Sequence, residues 1–306
     1  MSDDSILRFN LAFADPPGRM TRLSPLVRRL VAPNPGPMTF TGTCTYVIGH
    51  GKVAVIDPGP ALPGHIDSLL RGLDGERVTQ IFVTHTHRDH SPGAILLKKI
   101  TGAPVIGCAP HWNARAPSPA EEASLQRGND LDYRPDHVMA DGEIVQGQDF
   151  SLEAVATPGH TMNHLAFAMP EENTLFSGDH VMAWATSVIV PPSGSMGAYL
   201  DSLEKLRGRG ETIYWPGHGG PVDDPQRFLR GLLQHRRQRV AAILARLRVG
   251  DESAEAVTAV MYDGLDPRLM RAASLSVLAH LEDLAERGEV IMEGPPGPAA
   301  RFSAVN

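Results

Sequence analysis

The stretch "FVTHTHRDH", residues 82–90, sets His85, His87, Asp89 and His90 within six positions directly after an apolar run. That run, "VTQIFVT" over 78–84, is short and β-branched, which predicts a strand buried on both sides. The following "SPGAILLKKI" predicts a helix, with Ser91 as N-cap and Pro92 at its first position. The histidines therefore fall in a loop at the C-terminal edge of a strand, where layered α/β sheets gather their sites. Alternate side chains of an extended segment point the same way, so His85 and His87 can share one metal ion. Asp89 and His90, past the turn, can reach a second point nearby. Imidazole and carboxylate donors that leave a position open favour zinc, although Fe or Mn can occupy donor sets of this kind.

Working outward, "TYVIGHGKVAVIDPGP" predicts strands at 45–48 and 53–56 around Gly49-His50-Gly51, ended by Asp57-Pro58-Gly59-Pro60. A helix over 64–73 and a strand in "APVIGC" complete a strand–helix–strand alternation, the pattern of an α/β layered fold. Residues 111–140 are polar and weakly periodic and read as a long surface excursion beside the site. Strands return in "IVQ", "FSLEAVAT", "HLAFAMP" and "TLFSGDHV". The helix "MGAYLDSLEKLRGRG" and the strand "TIYWPGHGG" follow. Composition shifts near Asp223-Asp224-Pro225, which divides the chain into 1–225 and 226–306. The second part opens on a helical segment with seven arginines and no acid, "PQRFLRGLLQHRRQRVAAILARLRVG". Helical segments near 252–262 and 267–287 and a terminal hairpin make it winged-helix-like.

Four ligands in one loop do not complete two metal shells. Histidine or acid recurs after three further strands: His160 in "ATPGHT", Asp179 in "LFSGDHV" and His218 in "YWPGHGG". Each follows a glycine, which lets backbone fold tightly around a bound ion. Any one alone would more often be a structural side chain. Hydrophobic residues make up 42% of the 306, enough for a sizeable core, and the net charge of −7 does not suggest a generally basic nucleic-acid binder. Two cysteines, Cys44 and Cys108, cannot form a disulfide framework, and a reducing cytoplasmic location is expected. The first twenty residues lack the basic and apolar regions of an export signal, and no long apolar run suggests a membrane span.

"THTHRDH", "TPGHT", "SGDHV" and "PGHGG" resemble, in order, the motifs of the metallo-β-lactamase superfamily over residues 40–222. "PNPGPMTFTGTCTYVIG", "TPGHTMNHLAF" and the winged-helix-like end resemble more narrowly the lactamase-beta-like protein 2 group. The resemblance implies an αββα sandwich with a C-terminal winged-helix-like domain. It implies that His85, His87 and His160 hold one Zn2+ ion, that Asp89, His90 and His218 hold another, and that Asp179 bridges them. It also implies a hydrolase using a dinuclear zinc-bound hydroxide, with Asp89 as catalytic residue and Asp57 beside the ligands. Two residues depart from the group's pattern: Cys44 stands where Asn is usual, and Asn163 where a second Asp is common. Both are expected near the pocket, with Cys44 a plain buried thiol. His164 is expected to support the ligands or to assist.

Three functions follow as expectations. One is hydrolysis of a small-molecule ester or thioester, in keeping with the acidic balance and the apolar "VMAWATSVIVPPSG". A second is cleavage of a phosphodiester in single-stranded RNA, as in the narrower group, toward which the arginine-rich helix leans. The third is a nucleic-acid-binding module with a vestigial metal site, against which all seven ligand positions are filled. Neither a nucleophile-elbow serine nor a phosphate-binding glycine loop is present.

Overall fold

The structure, a computed structural model, describes residues 7–305. Residues 1–6 of the stretch read for an export signal, and Asn306 at the end of the expected second part, lie outside it. Two sheets face each other. The first has strands β1 (Thr21–Arg22), β2 (Val27–Val31), β3 (Cys44–Ile48), β4 (Lys52–Ile56), β5 (Arg77–Val83), β6 (Val105–Gly107) and β7 (His137–Val138), in that spatial order. Pairing is antiparallel as far as β4 and parallel beyond it, because helices α1 (Pro63–Gly72) and α2 (Pro92–Thr101) carry the chain back across the outer face. The second sheet runs β12-β11-β10-β9-β8, from β8 (Ile144–Gln146), β9 (Ser151–Ala156), β10 (Leu165–Met169), β11 (Thr174–Gly178) and β12 (Ile213–Pro216).

Strand periodicity explains the layering. In the fully buried β10, Leu165, Phe167 and Met169 point into the core between the sheets, while Ala166 and Ala168 point to the opposite face. Across the inner core Phe82 meets Phe167 edge to face at 5.3 Å, and Tyr46 meets Phe176 at 5.1 Å. The Tyr46 hydroxyl donates to the Pro216 carbonyl at 2.7 Å, so the phenol adds a polar tie between the sheets. On the outer faces, Ile66, Leu69 and Leu97 of α1 and α2 close the first sheet. Helices α4 (Met196–Arg207) and α5 (Pro225–Arg248) close the second through Leu203, Leu206, Leu229 and Leu232. This is the expected αββα sandwich.

The C-terminal part has its own core. Ile243 and Leu247 of α5 pack with α6 (Ala254–Met261), α7 (Pro267–Glu286) and the hairpin β13 (Val290–Glu293)–β14 (Arg301–Ala304). Three helices and a hairpin make the winged helix. Helix α5 runs unbroken through position 226, with its first half on the sandwich and its second half in the C-terminal core.

Two expectations are corrected. The excursion at 111–140 contains a ten-residue helix, α3 (Pro119–Gly128). Its only buried residue is Glu121, so no apolar periodicity announces it. The Glu121 Oε2 accepts from the Ser118 N–H and hydroxyl, both at 2.8 Å, and this ties down the helix start instead. Ser91 does precede α2, but it is itself helical (φ −88°, ψ −35°) and does not cap it. Its hydroxyl donates to Asp130 Oδ2 at 2.8 Å.

Candidate metal centre

All seven residues singled out in the sequence meet at one edge of the sandwich, on the loops after β5, β9, β11 and β12. They form a row of facing donor atoms. His87 Nδ1 lies 3.1 Å from His85 Nε2 and 3.0 Å from His160 Nε2. Asp179 Oδ2 is 3.6 Å from His160 Nε2 and 3.4 Å from His218 Nε2, while Oδ1 is 3.6 Å from His90 Nε2. Asp89 Oδ2 lies 3.2 Å from His218 Nε2 and 3.3 Å from His90 Nε2. Two groups emerge that could hold a metal ion: His85, His87, His160 and Asp179, and Asp89, His90 and His218. A third grouping, Asp57 with His85 and His90, is also compact. Asp57 is however already committed to hydrogen bonds.

Those bonds come from the buried Asp57, which sits at φ +47° just after β4. Its Oδ1 accepts from the Thr84 N–H at 2.8 Å, and its Oδ2 accepts from the Thr84 hydroxyl at 2.7 Å. The same Oδ2 lies 2.9 Å from His90 Nδ1, which leaves His90 Nε2 aimed at the cluster. Backbone carbonyls do the same for two other rings. Val188 O lies 2.8 Å from His160 Nδ1, and Gly42 O lies 3.2 Å from His218 Nδ1. His164 turns out to be a support: it accepts the Asp179 N–H on Nε2 at 3.2 Å, with Thr157 Oγ1 2.8 Å from its Nδ1.

The donor chemistry fits a cation. Asp179 Oδ1 is buried without a hydrogen-bond partner among the described residues, a costly state for a carboxylate oxygen that a cation would relieve. Space is also reserved around it. A Cβ on Gly217 would lie 2.5 Å from Asp179 Oδ1 and 2.7 Å from His90 Cε1. The electrostatics of the two groups differ. Burial, with its neighbouring imidazole His160, pushes His87 down to about 3, and burial with His90 and His87 holds His85 well below the usual range. These rings are neutral, as nitrogen ligands must be. At His218 burial opposes protonation, but the carboxylates of Asp179 and Asp89 outweigh it and push the ring up to about 10. Asp89 and Asp179 are correspondingly held well below the ordinary carboxylate range, against burial, by His90 and His218.

Sequence reasoning missed several neighbours. Thr43 donates its hydroxyl to Asp89 Oδ2 at 3.2 Å and is itself held by Asn34. Ser187 Oγ lies 3.2 Å from His160 Nδ1, and the Ser187 carbonyl accepts from Arg236 Nη2 of α5 at 2.5 Å. Nothing in local sequence marks these, since Thr43 and Ser187 reach the cluster from far away in the chain. Cys44 and Asn163 do not line the pocket. Cys44 is a fully buried thiol, pushed up to about 11 by burial, as expected of an inert side chain. Asn163 Nδ2 donates to Thr86 Oγ1 at 3.0 Å and to the Ala109 carbonyl at 2.8 Å, bracing the loop behind the histidines.

A chamber of about 830 Å³ opens over the cluster, with His87, Asp89, His160, Asp179 and His218 in its wall. Met38, Met182, Trp184 and Val190 supply an apolar side, and α3, α5 and α7 form a second wall that carries Arg127, Arg236, Arg239, Arg268 and Arg271. Trp184 is fixed by stacking on Phe40 at 4.9 Å.

The "Metallo-beta-lactamase superfamily" model matches residues 38–218. The chain belongs to that superfamily. A "Beta-lactamase associated winged helix domain" matches residues 253–297. Among curated relatives, the chain is 28% identical to the lactamase-like protein adaB of Aspergillus niger, covering 90% of this chain and 86% of that protein. It is 28% identical to the atrochrysone carboxyl ACP thioesterase of Aspergillus fumigatus, over 81% and 75% of the two chains. With the thioesterase pkgB of Emericella nidulans it shares 32%, over 73% and 60%. A solved structure of a beta-lactamase domain protein from Burkholderia ambifaria aligns over 100% of this chain and 99% of that one at 20% identity, with a TM-score of 0.80. The last likeness extends the fold through the winged helix. None of these three relatives carries the name of the narrower group expected from the sequence.

Proposed function

We propose that this chain is a dinuclear zinc hydrolase of small-molecule acyl thioesters. The observation that carries the reading is Asp179. One carboxylate faces His160 on one side and His90 and His218 on the other, as a residue shared by two ions would. His85, His87 and His160 would hold the first ion and Asp89, His90 and His218 the second. Bound zinc supplies Lewis acidity and a nucleophile at neutral pH. The chain's own residues set the geometry. Asp57, Val188 and Gly42 fix the ring orientations, and the chamber walls shield the reacting carbonyl from bulk water. Asp89 is the catalytic candidate. Its Oδ2 is engaged by Thr43, His90 and His218, and Oδ1 has no hydrogen bond among the described residues, so it is free to accept a hydrogen bond from the attacking water and orient it.

The thioester is favoured over other substrates by the two relatives named thioesterases and by the apolar wall beside the cluster. Three of the seven arginines in the arginine-rich helix are engaged within the chain, which weakens the RNA reading. Arg236 is buried against Tyr199, Arg239 lies over Tyr262 and Arg246 pairs with Asp251. Convergence of all seven ligand positions speaks against a vestigial site.

The test is metal analysis of protein purified without chelator, followed by a side-by-side assay of acyl thioesters, carboxylic esters and a short single-stranded RNA. Two equivalents of zinc and thioester turnover are expected, with Asp89→Ala lowering kcat about 100-fold or more while the fold is retained. Less than one equivalent of any transition metal in folded protein would sink the dinuclear reading. RNA cleavage that vanishes in Asp179→Ala would replace the substrate.

A further inference from the structure

The wall of the chamber contributed by α3, α5 and α7 is cationic in a chain of net charge −7. Arg127, Arg239, Arg268 and Arg271 stand along it, and Arg236 lies buried behind them. The acids in the chamber lining are already engaged. Asp89 and Asp179 belong to the ligand cluster, and the Glu121 carboxylate accepts from Arg115 and Ser118. Of these arginines only Arg268 has a carboxylate partner among the described residues, namely Asp266. Arg236 is 4% exposed, yet its Nε has no hydrogen-bond partner. A guanidinium taken out of water without a counter-charge is costly unless an anion comes to it. Arg239 is half-buried, with its guanidinium over the Tyr262 ring at 4.8 Å and its Nε donating to His235 Nε2 at 3.3 Å, which holds its fork in place.

We infer that the winged helix builds an anion subsite into this chamber, and that it binds the phosphate on the thiol arm of the thioester. The inference rests on the thioester reading above. A thioester has two arms. The apolar side, formed by Met38, Met182, Trp184 and Val190, suits an acyl group. The arginine side suits a phosphorylated thiol arm, since guanidinium matches phosphate in a two-pronged hydrogen bond. One chamber thus holds the scissile group at the cluster, with a differently charged arm on each side. Two of the seven arginines of α5, Arg236 and Arg239, thereby acquire a purpose that needs no nucleic acid.

The experiment uses the full metal-loaded chain and two substrates that differ only in the phosphate: the octanoyl thioesters of 4′-phosphopantetheine and of pantetheine. The phosphorylated one should have a kcat/KM about tenfold or more higher, as expected for one charge-assisted contact. That preference should shrink as salt rises. In Arg239→Ser/Arg271→Ser the ratio of the two kcat/KM values should fall toward one, with the exposed Arg271→Gln giving a partial fall in case the double variant folds poorly. A ratio near one in the unaltered protein, or a ratio that survives both variants, would overturn the subsite. Turnover of neither thioester would count against the thioester reading alone. Calorimetry with 4′-phosphopantetheine then decides the subsite separately. Salt-sensitive binding that weakens about tenfold in the variant supports it, and no binding to the unaltered protein refutes it.

Discussion

At the scale of single residues, the centre depends on side chains that touch no substrate. Asp57 spends both carboxylate oxygens on Thr84 and His90, which fixes the strand end and one ligand ring together. Removing it leaves His90 Nδ1 and the Thr84 N–H buried without their acceptor. Asp57→Ala should therefore weaken metal affinity about 10- to 100-fold, read by chelator competition, with a lower unfolding temperature. Unchanged affinity would mean that His90 is oriented by something else. The candidate ligands themselves were legible because histidine and aspartate clustered just past strand ends form a short pattern. Asp57 was legible only as a neighbour, and Thr43, Asn34 and Ser187 not at all. Thr43 and Ser187 reach the cluster across tens of residues, Asn34 acts only through Thr43, and hydroxyl or amide side chains carry no periodic signal.

Among the elements, α3 shows how a functional wall escapes sequence reading. With Glu121 as its only buried residue, it lacks the apolar stripe that reveals α1 or α5. It is held by polar contacts instead. The Arg115 guanidinium donates to Glu121 at 2.7 Å and to Glu282 of α7 at 2.7 Å, tying the excursion to the winged helix. Glu121 is held below its ordinary value, against burial, by Arg115 and Ser118. Burial pushes Glu282 up despite the same arginine. Arg115→Ala leaves the two carboxylates facing each other, and both then favour the protonated form. A carboxyl whose folded pKa is raised above its unfolded value stabilises at low pH and loses that contribution as pH rises through it. The variant should thus be destabilised by roughly 1–3 kcal/mol near neutrality and by less near pH 5, measured by denaturant unfolding at both. An equal loss at both pH values would argue that the carboxylates move apart.

On the scale of the whole molecule, the candidate ligands come from both sheets: four from the loop after β5 in the first, and three from the ends of β9, β11 and β12 in the second. Ions held there would cross-link the two halves of the sandwich in the folded state only. Exhaustive chelation should lower the unfolding temperature by several degrees, and zinc should restore it, in a calorimetric scan. An unchanged transition would show that Phe82, Phe167, Tyr46 and their neighbours hold the sheets without help. By itself the sequence determined the strand and helix alternation, the winged-helix-like end and the seven candidate metal-binding positions, because alternation, turn residues and metal donors are local patterns. Tertiary structure alone decided which residues orient those donors, that Cys44 and Asn163 stand behind the pocket, and that α3, α5 and α7 close a chamber with an arginine wall. Those outcomes depend on which distant surfaces pack together, and burial and charge pairing between them are fixed only when the chain has folded.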